Sequence, residues 1–305
     1  RTPVGTAIPL HALNTTFAEG DPFVTRDGLG IYFVSDRPSG RGVYQATRPS
    51  PLHPFDPPQL LELTAGIDAV ASPSVDDAGL FIVYSLPARG RIRALARSSP
   101  LADFEDPQIL LSDTEEGVQY LSASVHGSGN RIYFSREQQG RIETRVAFRQ
   151  DDRRQPFGNI RVVDVPGRHP RLSHDGRRQY LYDGSTLRRS RRTSDADAFI
   201  GTEVVREIKV PEYMPSETSR QFCVSDDEQW IFYCDNPARG GDLWMVRLSP
   251  GPAWGVPLTG GPAPPRVLAA VDSVLPRDPE LVTPSLPAVD AESDPRSQPL
   301  PYEEL

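Results

Sequence analysis

The residues that could do chemistry in this chain recur at matching places. Carboxylates at Glu19, Asp68, Glu116 and Glu217 stand a few residues upstream of, or beside, Asp21, Ser72, Ser122, His169 and Arg220. If such groups converge on one cavity, two carboxyls about 5–9 Å apart serve as acid and base, or acid and nucleophile, in glycoside hydrolysis. The set for that chemistry is Asp21 and Asp68 with Glu116 or Glu217. A converging polar ring without a reactive pair is instead a small-ligand site. An acid ahead of a strand also has a structural use, accepting backbone N–H groups of its own loop.

Other reactive residue types are sparse. His11, His53, His126, His169 and His174 follow no H-x-x-x-H pattern, and Cys223 and Cys234 no C-x-x-C pattern. The sequence therefore predicts no metal site and calls for no cofactor. Cys223 and Cys234 fall on two strands of one hairpin, as diagonal neighbours. A disulfide there is borderline in reach, and buried free thiols are the simpler expectation. Arginine is concentrated instead. Residues 141–192 hold 14 arginines against six acids, and Arg188, Arg189, Arg191 and Arg192 sit almost together. Guanidinium forks match planar and tetrahedral anions, which makes these four candidate anion ligands. A solvated edge facing the chain's own acids is the alternative.

The elements that must position these groups are legible as a repeat. The stretch 21–48, DPFVTRDGLGIYFVSDRPSGRGVYQATR, is rewritten from Ser72, Ser122, His169 and Arg220, with spacings of 51, 50, 47 and 51 residues between Pro22, Pro73, Ala123, Pro170 and Gln221. Each copy carries a short apolar strand, an Asp-Gly-like turn, an aromatic strand and a further strand. A period near 50 with several strands per unit predicts an all-β propeller. Five blades of four antiparallel strands account for the copies, and six become possible if the tail adds strands. In such a ring the first strand of each blade lines the central channel, so the rim residues named above would converge. The segment 8–14 resembles the segments that end later units, and so predicts a closing strand that pairs with the last blade and hides a sheet edge. In repeat four, LRRSRR (187–192) puts arginine on both faces, which predicts an outer, exposed third strand. One large aromatic per unit, Phe55, Phe104, Phe157, Phe199 and Trp254, reads as packing against the outer strand.

The ring is expected to occupy 1–261 as one domain, with a proline-rich acidic tail over 262–305. That tail holds ten prolines and eight acids against three arginines. It reads as a linker, a disordered extension or a strap. A net charge of −8 argues against a nucleic-acid partner. No run approaches the about 18 apolar residues that span a bilayer.

The unit as a whole, with Pro22, Asp27, Gly28, Ile31, Tyr32, Phe33, Ser35, Asp36, Arg37, Tyr44, Ala46, Arg48 and Phe55, resembles the TolB-like, WD-like propeller repeats of bacterial extracytoplasmic proteins. The resemblance implies a propeller over about 20–260 and a secreted or periplasmic location. With no residue set standing out as catalytic, the expected role is a non-enzymatic, monomeric scaffold that binds a protein or a glycan. A glycosidase or lyase with channel carboxylates, and an extracytoplasmic sensor domain of a membrane protein, are the alternatives.

Overall fold

A computed structural model describes residues 7–51, 53–100, 102–105, 107–113, 115–150, 156–163, 171–182, 186–194, 197–207, 222–235 and 241–248. The described residues all fall in one compact unit. The proline-rich tail, His169, Glu217, Arg220 and Trp254 lie outside them.

Among the described residues, twenty strands and two single-turn 3-10 helices make up the order. After β1 (Ala7–Pro9), blade one holds β2 (Glu19–Val24), β3 (Gly30–Ser35), β4 (Gly42–Thr47) and β5 (Gln59–Leu60). Blade two holds β6 (Ala71–Val75), β7 (Phe81–Leu86), β8 (Arg91–Ala96) and β9 (Gln108–Ser112). Blade three holds β10 (Gln119–Val125), β11 (Arg131–Gln138), β12 (Arg141–Phe148) and β13 (Gly158–Val162). Blade four holds β14 (Arg171–Leu172), β15 (Arg178–Tyr182), β16 (Thr186–Arg191) and β17 (Ile200–Glu207). Blade five holds β18 (Phe222–Val224), β19 (Trp230–Cys234) and β20 (Leu243–Arg247), with β1 as its fourth strand. Every sheet is antiparallel, and the five form a five-bladed propeller.

Ring closure is as the sequence predicts, but the closing strand is shorter than 8–14. Ile8 opposes Met245 on β20, and the ladder ends at Pro9. There the chain turns, with Leu13 N–H and Asn14 N–H both bonding to the Leu10 carbonyl. Asn14 then continues the pairing with its side chain. Its amide donates to the Leu243 carbonyl at 3.0 Å and its Oδ1 accepts the Leu243 N–H at 2.8 Å. The fifth copy also runs one residue later than the spacing of 51 suggests. Val224 faces Ile231 as Val24 faces Ile31, so the true counterpart of Val24 lies 200 residues on, not 199.

Alternation sends one face of each blade to each neighbour. Ile82, Tyr84 and Leu86 of β7 join blade one and part of blade five in one apolar cluster. Phe81 and Val83, the alternate residues, join blade three in a second. Tyr180 and Leu187 of blade four pack with blade five in a third. This is the period-two arrangement expected of strands buried on both faces.

The third strand of repeat four corrects one expectation. β16 is not an outer strand, because β17 pairs along its free edge. Arg188 and Arg191 are exposed, while Leu187, Ser190 and the following Arg192 are buried. Cys223 and Cys234 are both free and buried, with Cys223 opposite Phe232. Burial raises both thiols above their ordinary range.

Candidate functional site

The axis of the ring is built by a bulge that repeats. The innermost strands of the first three blades slip register at Gly20/Phe23, Ala71/Ser74 and Tyr120/Ser122. Such a bulge re-aims the side chain beside it. Asp21 and Ser72 take the left-handed backbone there, at φ 50° and 51°. The bent strand turns the Asp21 carboxylate toward blade two, where Oδ2 accepts the Ser72 N–H at 2.9 Å. Arg171, from the innermost strand of blade four, approaches the other oxygen to 3.5 Å. Both side chains are almost wholly buried. Burial raises the Asp21 carboxyl above its ordinary range, outweighing the opposing charge of Arg171 and the bonds from Ser72.

Further along the axis, the turns between first and second strands close the ring. Arg26, Asp77, Gly127, His174 and Asp226 hold the same place in the five turns. Arg26 bridges Asp77 at 2.8 Å and Asp226 at 3.4 Å. His174 Nδ1 lies 2.7 Å from the Asp77 carboxylate. Backbone bonds run from Asp77 N–H to the Gly127 carbonyl and from Gly127 N–H to the His174 carbonyl. The Phe23 ring meets His174 edge-on, 5.6 Å away. Burial pushes the Asp77 carboxyl up, but the bond and charge of His174, with Arg26, leave it below its ordinary range.

The other sequence candidates are dispersed. Glu19 is buried and held by Arg37 at 3.2 Å, Thr15 Oγ1 at 2.6 Å and Ser35 Oγ at 3.2 Å. Asp68 and Glu116 are exposed on the turns that precede blades two and three. Ser122 is buried and donates to Ser135 Oγ at 3.2 Å. Thus Asp21 and Ser72 are brought together, and Asp68 and Glu116 stay on separate turns. Of the four arginines, Arg189 pairs with Glu203 and with Glu228, and Arg191 pairs with Glu203 at 3.2 Å. Arg192 turns inward, donating to the Gly176 carbonyl at 2.8 Å and to Tyr133 Oη at 2.5 Å. Arg188 stays exposed on the face toward blade three. No group of three or more His, Cys, Asp or Glu is arranged to hold a metal among the described residues.

Arg171 and the ring of turn residues escaped the sequence reading. The ring carried a usable signal: one turn column of the repeat reads Arg, Asp, Gly, His, Asp, so opposite charges share a place. Arg171 carried none, because its partner comes from a blade that only closure brings near.

Sequence comparison finds no matching family model and no matching curated protein. Solved structures of similar fold include a thermostable family-43 glycoside hydrolase, at 15% identity over 79% of this chain and 97% of that one, with a TM-score of 0.51. An α-L-arabinofuranosidase from Podospora anserina matches at 11% identity over 75% of this chain and 90% of that one, TM-score 0.51. TolB from Acinetobacter baumannii matches at 13% identity over 77% of this chain, with a TM-score of 0.47. The chain spans 56% of that TolB structure's length. At these identities the likeness is one of fold, the propeller anticipated from the repeats.

Proposed function

We propose that this chain is a non-catalytic propeller scaffold, acting outside the cytoplasm of a bacterium, that presents a rigid monomeric disc to a protein or a glycan. One observation carries the reading. The acids of this region are engaged in the fold's own bonds: the buried Asp21 with Ser72 and Arg171, the buried Glu19 with Arg37 and Thr15, and the exposed Asp77 with His174 and Arg26. Paired acid and base chemistry needs two carboxyls facing one gap, whereas Asp68 and Glu116 stand exposed on separate turns. The extracytoplasmic placement rests on the repeat's resemblance. No described helix is long and apolar enough to cross a membrane.

A second reading, a carbohydrate-active enzyme, is favoured by the raised carboxyl of Asp21, the direction a general acid requires. A thermal-shift screen against oligosaccharides, run beside an assay on their chromogenic aryl glycosides, separates the two. A ligand at 100 times its Kd stabilises by about 2.7 kcal/mol. A midpoint rise without release of the aryl group supports the scaffold. Turnover that disappears in Asp21→Asn supports the enzyme.

A further inference from the structure

Large apolar residues that stay exposed gather on the outer strands. Ile109 lies on β9, Ile160 and Val162 on β13, and Ile200 and Val204 on β17. An outer strand turns a row of backbone N–H and C=O groups away from its own sheet, and proteins keep such strands short, charged or covered. β17 departs from that practice. It runs eight residues, against two in β5, three in β1 and five in β9 and β13.

β17 ends the sheet of blade four. Ile200, Gly201, Thr202, Glu203 and Val204 are all exposed, Ile200 at 69% and Val204 at 53%. At Gly201 the space where a side chain would start is open to 4 Å. An exposed glycine is exposed backbone, so solvent reaches the edge itself and not only its side chains. Two register shifts against β16, at Leu187/Arg188 and Arg189/Arg191, bend the strand. A bent edge takes up one short strand and resists the open-ended stacking that a flat edge invites.

The neighbouring strand supplies charge. On β16, Arg188 opposes Val204 and is exposed on the face toward blade three. Arg191 opposes Ile200 and Arg189 opposes Glu203, and these two arginines share the Glu203 carboxylate at 3.2 and 2.6 Å. Three guanidiniums therefore border an edge whose described part carries one acid. A second copy of the chain would set like charges against each other there, whereas an acidic strand would complement them. Neighbouring strands lie about 4.8 Å apart, so an added strand would stand about 10 Å from β16. An arginine leaning outward and a glutamate leaning inward close that gap together.

We infer that β17 is a docking edge for an acidic, extended peptide of a partner protein, which adds to blade four as a fifth strand along Ile200–Val204 and sets carboxylates against Arg188 and Arg191. In strand addition the main-chain bonds give affinity and the side chains give specificity. The inference rests on the scaffold reading, and gives that scaffold a class of partner and a place to hold it. It also gives a use to the arginine run of repeat four, whose last member, Arg192, turns into the fold instead.

Fluorescence anisotropy on the full chain, with a short labelled peptide that alternates valine and glutamate, tests this. The expected result is saturable binding that weakens at least about tenfold in Val204→Lys and in Ile200→Lys, because a lysine on an edge blocks strand pairing. Two exposed positions are used so that a folding failure in one variant leaves the other. Two further peptides carry methyl groups on alternate backbone nitrogens, one on each edge of the extended chain. One is expected to bind and the other not, since only one edge meets β17. Arg188→Glu is expected to move the preference toward a peptide with lysine in place of glutamate. Equal binding of the two methylated peptides, indifference to both lysine variants, or equal affinity for the glutamate and lysine peptides would overturn the inference. Dimers in sedimentation that Val204→Lys removes, with no peptide bound, would assign the edge to a second copy and overturn it too. The scaffold reading fails separately, by turnover of aryl glycosides. A chain that shifts with an oligosaccharide yet binds no peptide would sink the edge alone.

Discussion

Asp21 of blade one and Arg171 of blade four meet across the axis of the ring, Oδ1 to Nη2, at 3.5 Å. Two blade steps separate them, so the pair forms only when the ring is closed. Removing one partner of a buried pair leaves an uncompensated charge, which costs about 3–5 kcal/mol.

Arg171→Met is therefore expected to lower stability by about that amount, and Asp21→Asn/Arg171→Met to recover part of the loss. Urea unfolding of the two single variants and the double one gives the coupling. Additive losses would mean that the two groups do not share a bond that matters.

A second relationship repeats blade by blade. The arginine after the third strand donates from Nε to the glycine carbonyl of the first turn: Arg48 to Gly28 at 2.8 Å, Arg97 to Gly79 at 2.6 Å, Arg149 to Gly129 at 2.9 Å and Arg192 to Gly176. Each guanidinium also lies over the landmark aromatic, 4.3 Å from Phe55, 4.5 Å from Phe104 and 4.6 Å from Phe157 and Phe199. Burial even pulls Arg48 down to about 10. A charge-assisted bond and a desolvated cation–π contact add to about 2–4 kcal/mol. Arg149→Ala, which also uncovers Phe81 at 4.0 Å, is expected to lose that much in urea unfolding. Arg149→Lys is expected to recover less than half, since an ammonium cannot both stack flat and reach the carbonyl.

Blade five solves the same problem differently. Leu248 stands where the other blades have arginine, and Glu228 takes the left-handed place that glycine holds elsewhere, at φ 56°. Glu228 accepts from Tyr180 Oη at 2.5 Å, and pairs with Arg178 at 3.4 Å and with Arg189. Left-handed backbone at a residue with a Cβ costs about 1–2 kcal/mol. Glu228→Gly removes that strain and still lowers stability, by about 1–3 kcal/mol, because two partly buried guanidiniums each lose one of their acids, Arg178 keeping Asp226 and Arg189 keeping Glu203. A stabilised Glu228→Gly variant in thermal unfolding would contradict this.

The turn face carries a pH dependence whose sign follows from His126, Asp77 and Asp175. Burial holds the His126 imidazole below its ordinary value, against the pull of the Asp175 carbonyl and the charges of Asp77 and Asp175, with Arg131 adding to the shift. The unfolded chain then takes up this proton first, so stability falls as pH drops below about 6.5 and levels off once the folded imidazole is protonated. Asp77 and Asp175 are both held below their ordinary value of 3.8, so a second loss begins only as pH falls through that value. Asp21, raised by burial, works in the opposite direction as it gains its proton. Thermal midpoints between pH 7 and 5 are expected to fall in the parent chain and to flatten in His126→Gln. An unchanged slope in His126→Gln would assign the fall to other groups.

The propeller was legible because its signal is local and repeated. An Asp-Gly-like turn before IYF or LFIVY is a short-range hairpin cue, and four further copies make the period plain. Closure was legible too, because 8–14 resembles the segments that end later units. The strand's end at Pro9 was not, since an Asn14 side chain stands in for the backbone ladder. The LRRSRR segment was misread as an edge because pattern alone does not reveal β17 beyond it. For the site, spacing placed Asp21 and Ser72 at the axis, but Arg171 and His174 act across blades. Contacts between unlike repeats leave no trace in any one copy.

Whether the axial carboxylate Asp21 is structural or reactive is addressed most directly by one assay. The purified chain and Asp21→Asn are incubated with a panel of chromogenic aryl glycosides, and aryl release is followed against buffer. Release at the buffer rate is expected for both proteins. Release by the parent chain that is abolished in an Asp21→Asn variant of unchanged fold would contradict it, and would make Asp21 a catalytic acid.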